Sequence, residues 1–269
     1  MEIMSDRVLE IQSVQVSPIR NMITALKDVL TDATITFTKQ GLKIINFDKT
    51  HTILVNVTLD SNKFEKYRCD PDKIIVCANT LHLFKVISTM SNDDTLCIYI
   101  DKNDYHDGVV SYLGLQYENG DIKQLYSQKL RLIEPDTEEL AIPKVEYSTV
   151  INMPTTDFQK IIRDMNGISD RIEIKSAGDD LIFSCDGNFA SSKIYRTESD
   201  GNMNFINKPD ASTVVQGEFS LKSLSHFIKC TPLCANLEIY IGNNLPLIVK
   251  YDVASLGSIK LCLASLPSA

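Results

Sequence analysis

The sequence predicts an α+β chain of two similar domains, and three features point to this class. In each half, a strand pattern precedes an amphipathic helix, a hairpin, further strands and a second helix. Equivalent helices recur at an offset of roughly 140 residues, which indicates an internal duplication. An acidic segment with two prolines separates the halves, so we expect domains at residues 1–132 and 148–269, joined by a connector at 133–147.

In the first half we expect strand 8–16, helix 17–30, hairpin strands 34–38 and 42–47, strand 53–59, an extended segment 64–70, helix 79–90, and strands 95–100, 109–117 and 122–132. Ser17 is a candidate N-cap of the first helix, Pro18 suits its first position, and Asn79 is a candidate cap of the second helix. Four apolar residues predict the buried face of the first helix: Ile19, Ile23, Leu26 and Leu30.

In the second half we expect strand 145–153, helix 154–167, hairpin strands 171–176 and 181–185, strand 188–197, helix 219–229, and strands 237–241, 246–253 and 258–264. Gly167 is expected to close the first of these helices. The dipeptides Lys27-Asp28 and Arg163-Asp164 are expected to occupy matching helix positions in the two halves.

The connector contains Pro135, Pro143 and five acidic residues, which favour an extended surface segment. Leu140 and Ile142 form an apolar island inside it. Two interpretations fit this island. The connector either lays two apolar side chains on a neighbouring domain, or Leu140 and Ile142 form one wall of a groove that binds a partner.

The composition is that of a soluble globular protein, with 43% hydrophobic and 23% charged residues among 269. We find neither a run of the roughly 18 apolar residues that a membrane span needs nor a signal peptide at the N-terminus. The seven cysteines are odd in number and mostly have apolar neighbours, which favours reduced, buried thiols. We therefore expect an intracellular protein that is neither secreted nor embedded in a membrane.

Positive charge is concentrated on the predicted helices, although the chain has a net charge of −8. The four helix windows hold three acidic residues and seven basic ones, a net +4 that leaves −12 on the rest of the chain: Arg20, Lys27, Lys85, Lys160, Arg163, Lys222 and Lys229. Spacings of three and seven residues place these cations on common helix faces. The faces are either ordinary solvated surfaces or a shared surface for a polyanion, bound through phosphates without sequence preference.

The sequence contains none of the common catalytic or metal-binding motifs. There is no HExxH, Walker, GxSxG or GxGxxG pattern. Cys230 and Cys234 are four residues apart without a second pair, so a zinc site is not expected. We predict a protein that is not an enzyme and that carries no cofactor and no metal.

Six segments, in order and spacing, resemble the sliding clamps of the proliferating cell nuclear antigen type: ALKDVL at 25–30, FEKYRCD at 64–70, LAIPKVEYS at 140–148, MPTTDFQKIIRD at 153–164, IKCTPL at 228–233 and LPLIVKYDVASLGSIKLCLA at 245–264. The resemblance covers about residues 8–264. It implies the DNA clamp fold, in which a homotrimeric ring of two-domain subunits has helices lining the hole and antiparallel sheets outside. Edge strands near residues 122–132 and 189–197 would pair between subunits.

The resemblance also implies a function in DNA replication and repair. The ring would encircle double-stranded DNA without sequence preference and act as a processivity factor for DNA polymerase and other clients. An ATP-dependent clamp loader would open it, since the chain has no nucleotide-binding motif of its own. The implied location is the nucleus or another site of DNA replication, such as a viral factory.

Site residues follow from the same resemblance. The seven basic helix residues match positions that line the hole in the family. The connector matches the family's interdomain loop, and short peptide motifs of clients would bind a groove beside it formed by eight residues: Phe47, His51, Leu54, Leu140, Ile142, Pro246, Cys262 and Ala264. Cys262 stands where eukaryotic members usually have tyrosine.

Three other functions remain open. The chain could be a subunit of a heterotrimeric clamp of the checkpoint type, which forms a ring only with two different partners. It could be a monomeric polymerase accessory factor that holds DNA by charge alone. It could also be a protein-interaction scaffold that does not touch DNA.

Overall fold

The structure, a computed structural model, describes residues 6–119, 123–135, 145–199, 202–210 and 212–267. The chain forms two compact units. The N-terminal unit holds the described residues up to Lys49, those from Val55 to 135, and Val253–Ile259. The C-terminal unit holds Thr50–Leu54, the described residues from 145 to Asp252, and those from Lys260 onward.

The described residues of the first half are mainly antiparallel strand, with two α-helices. Its elements are β1 (Arg7–Ser13), α1 (Val16–Leu26), β2 (Asp32–Thr38), β3 (Gly41–Phe47), β4 (Ile53–Asp60), a 3₁₀ turn (Ser61–Lys63), β5 (Lys66–Cys69), β6 (Lys73–Asn79), α2 (Thr80–Ile87), β7 (Thr95–Asp101), a 3₁₀ turn (Lys102–Asp104), β8 (Tyr105–His106), β9 (Val109–Val110), β10 (Tyr112–Asn119) and β11 (Gln124–Arg131).

The second half repeats this order. Its elements are β12 (Thr149–Pro154), α3 (Thr155–Asn166), β13 (Arg171–Ala177), β14 (Asp180–Asp186), β15 (Ser191–Thr197), β16 (Asn204–Asn207), β17 (Val214–Ser220), α4 (Leu221–Phe227), a 3₁₀ helix (Ile228–Leu233), β18 (Asn236–Ile241), β19 (Leu247–Val253) and β20 (Gly257–Leu263).

Strand pairing confirms the predicted duplication and the α+β class. In the N-terminal unit β1 pairs antiparallel with β5 and β7, and in the C-terminal unit β12 pairs in the same way with β16 and β18. Likewise β2 pairs with β3 and β6, while β13 pairs with β14 and β17. A shared order of elements alone could be a coincidence, but a shared set of strand partners is the mark of two copies of one fold.

The helices bury equivalent apolar faces, and these faces fix the register of the repeat. The four predicted residues Ile19, Ile23, Leu26 and Leu30 are all buried. The buried residues Ile19, Ile23 and Leu26 correspond to Phe158, Ile162 and Met165 of α3, each 139 residues further on. In this register the residue equivalent to Lys27 in the second half is Asn166, not Arg163. The predicted match of Lys27-Asp28 with Arg163-Asp164 is therefore wrong by three residues.

The starts of α1 and α4 differ from the prediction, whereas the predicted cap of α2 is confirmed. Gln15, not Ser17, occupies the N-cap position of α1, and Pro18 is the third helical residue. The cap of α2 is confirmed, because the Asn79 side chain accepts a hydrogen bond of 3.1 Å from the backbone amide of His82. Helix α4 begins at Leu221 because the preceding residues complete β17, and the Ser220 side chain caps it.

Four of the described strands were not predicted from the sequence: β6, the two-residue β8, β16 and β17. Strand β6 is a short apolar run that periodicity alone does not distinguish from a buried helical segment, and β17 contains Gly217. Both lie directly before the second helix of their half. The ends of β6 and β17 therefore set the residues at which α2 and α4 begin.

The middle of the connector, residues 136–144, lies outside the described residues and includes Leu140 and Ile142. On its N-terminal side, the Ile133 amide donates to the Cys77 carbonyl oxygen at 3.0 Å within the N-terminal unit. On its C-terminal side, Tyr147 Oη donates to the Pro246 carbonyl oxygen at 2.9 Å within the C-terminal unit. All seven cysteines are described, and they are free thiols.

Candidate nucleic-acid interface and partner groove

In the N-terminal unit, α1 and α2 pack side by side and bring Arg20, Lys27 and Lys85 to one helix pair. The Lys27 ammonium lies 4.9 Å from the ring centroid of Phe84 in α2. Arg20 Nη1 donates to the Met90 carbonyl oxygen at 2.7 Å, just beyond the end of α2. Two of the unit's three predicted cations, Arg20 and Lys27, therefore link the first helix to the second.

The three cations of this pair differ in how much of their charge is available. Arg20 is half-buried, and its second guanidinium nitrogen donates to the Asn92 side chain. Lys27 lies 2.8 Å from an Asp28 carboxylate oxygen, and its side chain is only 21% exposed. Lys85 is exposed and forms no side-chain hydrogen bond or ion pair with any other residue that the structure describes.

The C-terminal unit contains the equivalent pair, α3 and α4 with its 3₁₀ extension. Gln159 Nε2 donates to the Ile228 carbonyl oxygen at 3.4 Å and links the two elements. Lys160 pairs with Asp164 one turn away at 2.5 Å, with its side chain 76% exposed. Within the described ranges, Arg163, Lys222 and Lys229 are exposed and have no side-chain partner. Lys229 lies in the 3₁₀ helix, beyond the end of α4.

An acidic residue of α3 is neutralised from a neighbouring sheet. Arg196 of β15 donates to an Asp157 carboxylate oxygen at 2.9 Å. Sequence reasoning missed Arg196 because it is a strand residue 39 positions from its partner. It also missed Asn92, because the sequence gives no sign that this turn residue accepts a hydrogen bond from Arg20, 72 residues away.

The predicted groove residues fall into both units and into the part of the chain outside the described residues. Phe47 ends β3 in the N-terminal unit, whereas His51 and Leu54 belong to the C-terminal unit. His51 adopts a left-handed backbone conformation with φ of 55°. Pro246, Cys262 and Ala264 lie at or beside β19 and β20. Leu140 and Ile142 are outside the described ranges.

Within the C-terminal unit, Tyr147 organises the surroundings of two groove residues. Besides its hydrogen bond to Pro246, its ring meets the Tyr240 ring edge-on at 5.8 Å between centroids. Burial, and to a smaller extent the nearby Cys262, raises the pKa of Tyr147 to about 12. Burial also raises the pKa of the Cys262 thiol to about 11, so this position is a neutral, apolar surface at physiological pH.

The described residues contain neither a side-chain cluster suited to a metal ion nor a helix suited to a membrane. No group of three or more histidine, cysteine, aspartate and glutamate side chains in these ranges could hold a metal ion. No helix in them is long and apolar enough to cross a membrane.

Comparison with known proteins gives matches along nearly the whole chain. The sequence model described as "Proliferating cell nuclear antigen, N-terminal domain" matches residues 8–139, and that of the "Proliferating cell nuclear antigen, C-terminal domain" matches residues 141–266. The chain is 32% identical over 268 residues to the "Probable DNA polymerase sliding clamp 1" of Paramecium bursaria Chlorella virus 1, covering 98% of this chain and 99% of that protein. With two units of one duplicated fold and a match to each domain in order, the chain belongs to the proliferating cell nuclear antigen family.

Proposed function

We propose that this chain is a DNA sliding clamp, a processivity factor whose three identical subunits form a ring around duplex DNA. One observation carries the proposal: each copy of the duplicated fold has a helix pair with a buried apolar face and, outside that face, three cations in the N-terminal unit and four in the C-terminal unit. The relative described as a DNA polymerase sliding clamp supports the same assignment. The ring would tether DNA polymerase and other replication and repair proteins to DNA.

Two edge strands support assembly into a ring. Within the described residues, β11 pairs only with β10, and β15 pairs only with β14, so each leaves one edge open. Exposed edges invite pairing with another chain, and both strands carry exposed apolar side chains such as Leu125, Tyr126 and Tyr195. Because β11 and β15 are different strands in different units, joining them between copies is a head-to-tail contact, the kind of contact that forms a ring when the rotation between successive copies closes.

Weak phosphate contacts are sufficient for a ring of this kind. Lysine and arginine on helices bind the DNA backbone without reading sequence, and salt weakens these contacts. The strongly acidic remainder of the chain would keep DNA away from other surfaces. Topological enclosure then holds the protein on DNA while the contacts exchange rapidly, which permits sliding.

The connector is the proposed docking place for clients. We assign residues 133–147 to the connector between domains 1–132 and 148–269. Leu140 and Ile142 would form the groove with the other six predicted residues, and short peptide motifs with apolar anchors would bind there. The partners are then duplex DNA, DNA polymerase and other clients, and an ATP-dependent loader, at an intracellular site of DNA replication.

A bead assay with closed and open DNA ends tests the topological claim without a loader. A linear duplex is fixed to beads at one end, the protein threads over the free end, and streptavidin then closes that end through a terminal biotin. We expect closed DNA to retain the protein through a high-salt wash that breaks phosphate contacts, and restriction cleavage to release it. Equally rapid loss from closed and open DNA would contradict a ring.

Matched substitutions connect retention to the edge strands. Tyr195→Asp introduces a charge at a side chain of β15 that is 57% exposed, so the fold should survive while pairing between copies fails. Ile206→Asp makes the same kind of change at a residue of β16 that is 56% exposed. We expect the first variant to be lost from closed DNA and the second to be retained.

A further inference from the structure

We infer that the C-terminal unit supplies most of the direct phosphate contacts, although the sequence gives the two units equal helix charge. This inference rests on the proposed function, since it concerns how the basic helices share one polyanion. The predicted helices of the first half carry three cations and one acid, and those of the second half carry four cations and two acids. Both halves therefore have a net helix charge of +2, and only the contacts distinguish them.

In the N-terminal unit, two of the three cations are committed to the fold. Arg20 would have to give up both the Met90 carbonyl and the Asn92 side chain to reach a phosphate. Lys27 would have to leave Asp28 and the face of Phe84, and its side chain is mostly buried. Their charges still add to the local potential, but direct contact is left to Lys85.

In the C-terminal unit, the acids are neutralised or easily displaced. The Asp157 carboxylate is engaged by Arg196 of β15, a cation outside the helices. The pair between Lys160 and Asp164 is highly exposed, and exposed pairs of this kind are weak, so Lys160 can exchange its carboxylate for a phosphate at little cost. Arg163, Lys222 and Lys229 stay exposed and have no partner within the described ranges.

Two triple variants with equal loss of formal charge test the inference. One is Arg20→Gln, Lys27→Gln, Lys85→Gln, and the other is Arg163→Gln, Lys222→Gln, Lys229→Gln. Binding to a short fluorescent duplex is measured by anisotropy over a series of salt concentrations. Each phosphate contact contributes about 0.9 to the slope of log affinity against log salt. We expect the C-terminal set to reduce the slope about three times as much as the N-terminal set and to weaken binding at low salt at least about tenfold more.

A pair of double variants repeats the comparison without touching Arg20, whose loss also removes its hydrogen bonds to Met90 and Asn92. Lys27→Gln with Lys85→Gln is compared with Lys222→Gln with Lys229→Gln, and circular dichroism checks the fold of every variant. Equal losses from the two units, with salt-dependent binding by the unsubstituted protein, would overturn the inference and leave the proposed function intact. No salt-dependent binding by the unsubstituted protein would overturn the proposed function and this inference with it.

Discussion

Arg20 Nη1 lies 2.7 Å from the carbonyl oxygen of Met90, and this hydrogen bond joins α1 to the turn after α2 across 70 residues of sequence. The contact makes a predicted DNA-facing residue into a structural one. It also explains how two helices that carry three cations can stay packed together, since the Arg20 guanidinium donates to a backbone and a side-chain oxygen.

Replacing Arg20 by glutamine should reduce the free energy of unfolding by about 1–2 kcal/mol, because two hydrogen bonds from a charged group are lost at a half-buried site. Arg20→Lys should also destabilise, since lysine keeps the charge but not the planar fork. Urea unfolding at fixed protein concentration measures both. The control Arg163→Gln, at an exposed residue, should stay within about 0.5 kcal/mol. An effect at Arg20 no larger than the control would contradict the structural role.

Asn79→Ala should reduce stability by about 1 kcal/mol, because the Asn79 side chain caps α2 by accepting from the His82 amide. Ser220→Ala removes the equivalent cap from α4 and should have a similar cost. Asn166→Ala, at an exposed position of α3, is the matched control and should be close to neutral. Thermal unfolding of the three variants distinguishes capping from a general cost of losing a polar side chain.

Glu10 should stabilise the N-terminal unit in a pH-dependent way. Burial raises the pKa of Glu10, but Lys66, 2.7 Å away, and Arg7, 3.1 Å away, outweigh it and hold this pKa below its ordinary 4.5. A lowered pKa in the folded state means that the stabilisation is present above the unfolded pKa and is lost as the pH falls through the folded pKa.

The difference in unfolding free energy between the unsubstituted protein and Glu10→Gln should therefore be largest near neutral pH and shrink as the pH falls below about 4.5. Urea titrations between pH 7 and pH 3 measure it. Glu118→Gln, at an exposed residue of β10, is the control and should stay within about 0.5 kcal/mol. A difference at Glu10 that grows on acidification would have the wrong sign for this ion-pair cluster.

Replacing Leu140 and Ile142 together by alanine should weaken binding of a client peptide about tenfold or more, because apolar anchors at the centre of an interface carry most of its energy. The fold should change little, as judged by circular dichroism and unfolding. Val145→Ala, at an exposed residue of the connector, is the matched control and should bind normally. Unchanged peptide binding by the double variant, measured by fluorescence titration, would refute the groove assignment.

Much of the fold could be predicted from the sequence, because the signals were local and repeated. The apolar stripe of α1, the Asn79 cap and the hairpin across residues 39–41 all follow from neighbouring residues. Strands β6 and β17 were missed because periodicity alone does not identify a short apolar run such as β6, and because Gly217 weakens the strand pattern of β17.

The state of each cation was less predictable than its position. Arg20 and Met90 are 70 residues apart, and Asp157 and Arg196 are 39 apart, so helix periodicity gives no sign of either contact. Residue spacing predicts which face a side chain occupies. Only the tertiary structure establishes whether its charge remains available for a ligand.

The mass of the protein in solution tests the central claim of a homotrimeric ring most directly. Analytical ultracentrifugation should give a species near three times the chain mass of 30.2 kDa. The Tyr195→Asp variant should shift the protein from this species toward the mass of a single chain. A monomer at every workable concentration would contradict the ring and favour a monomeric accessory factor. A chain that reaches the trimer mass only when two different partners are added would instead indicate a heterotrimeric clamp.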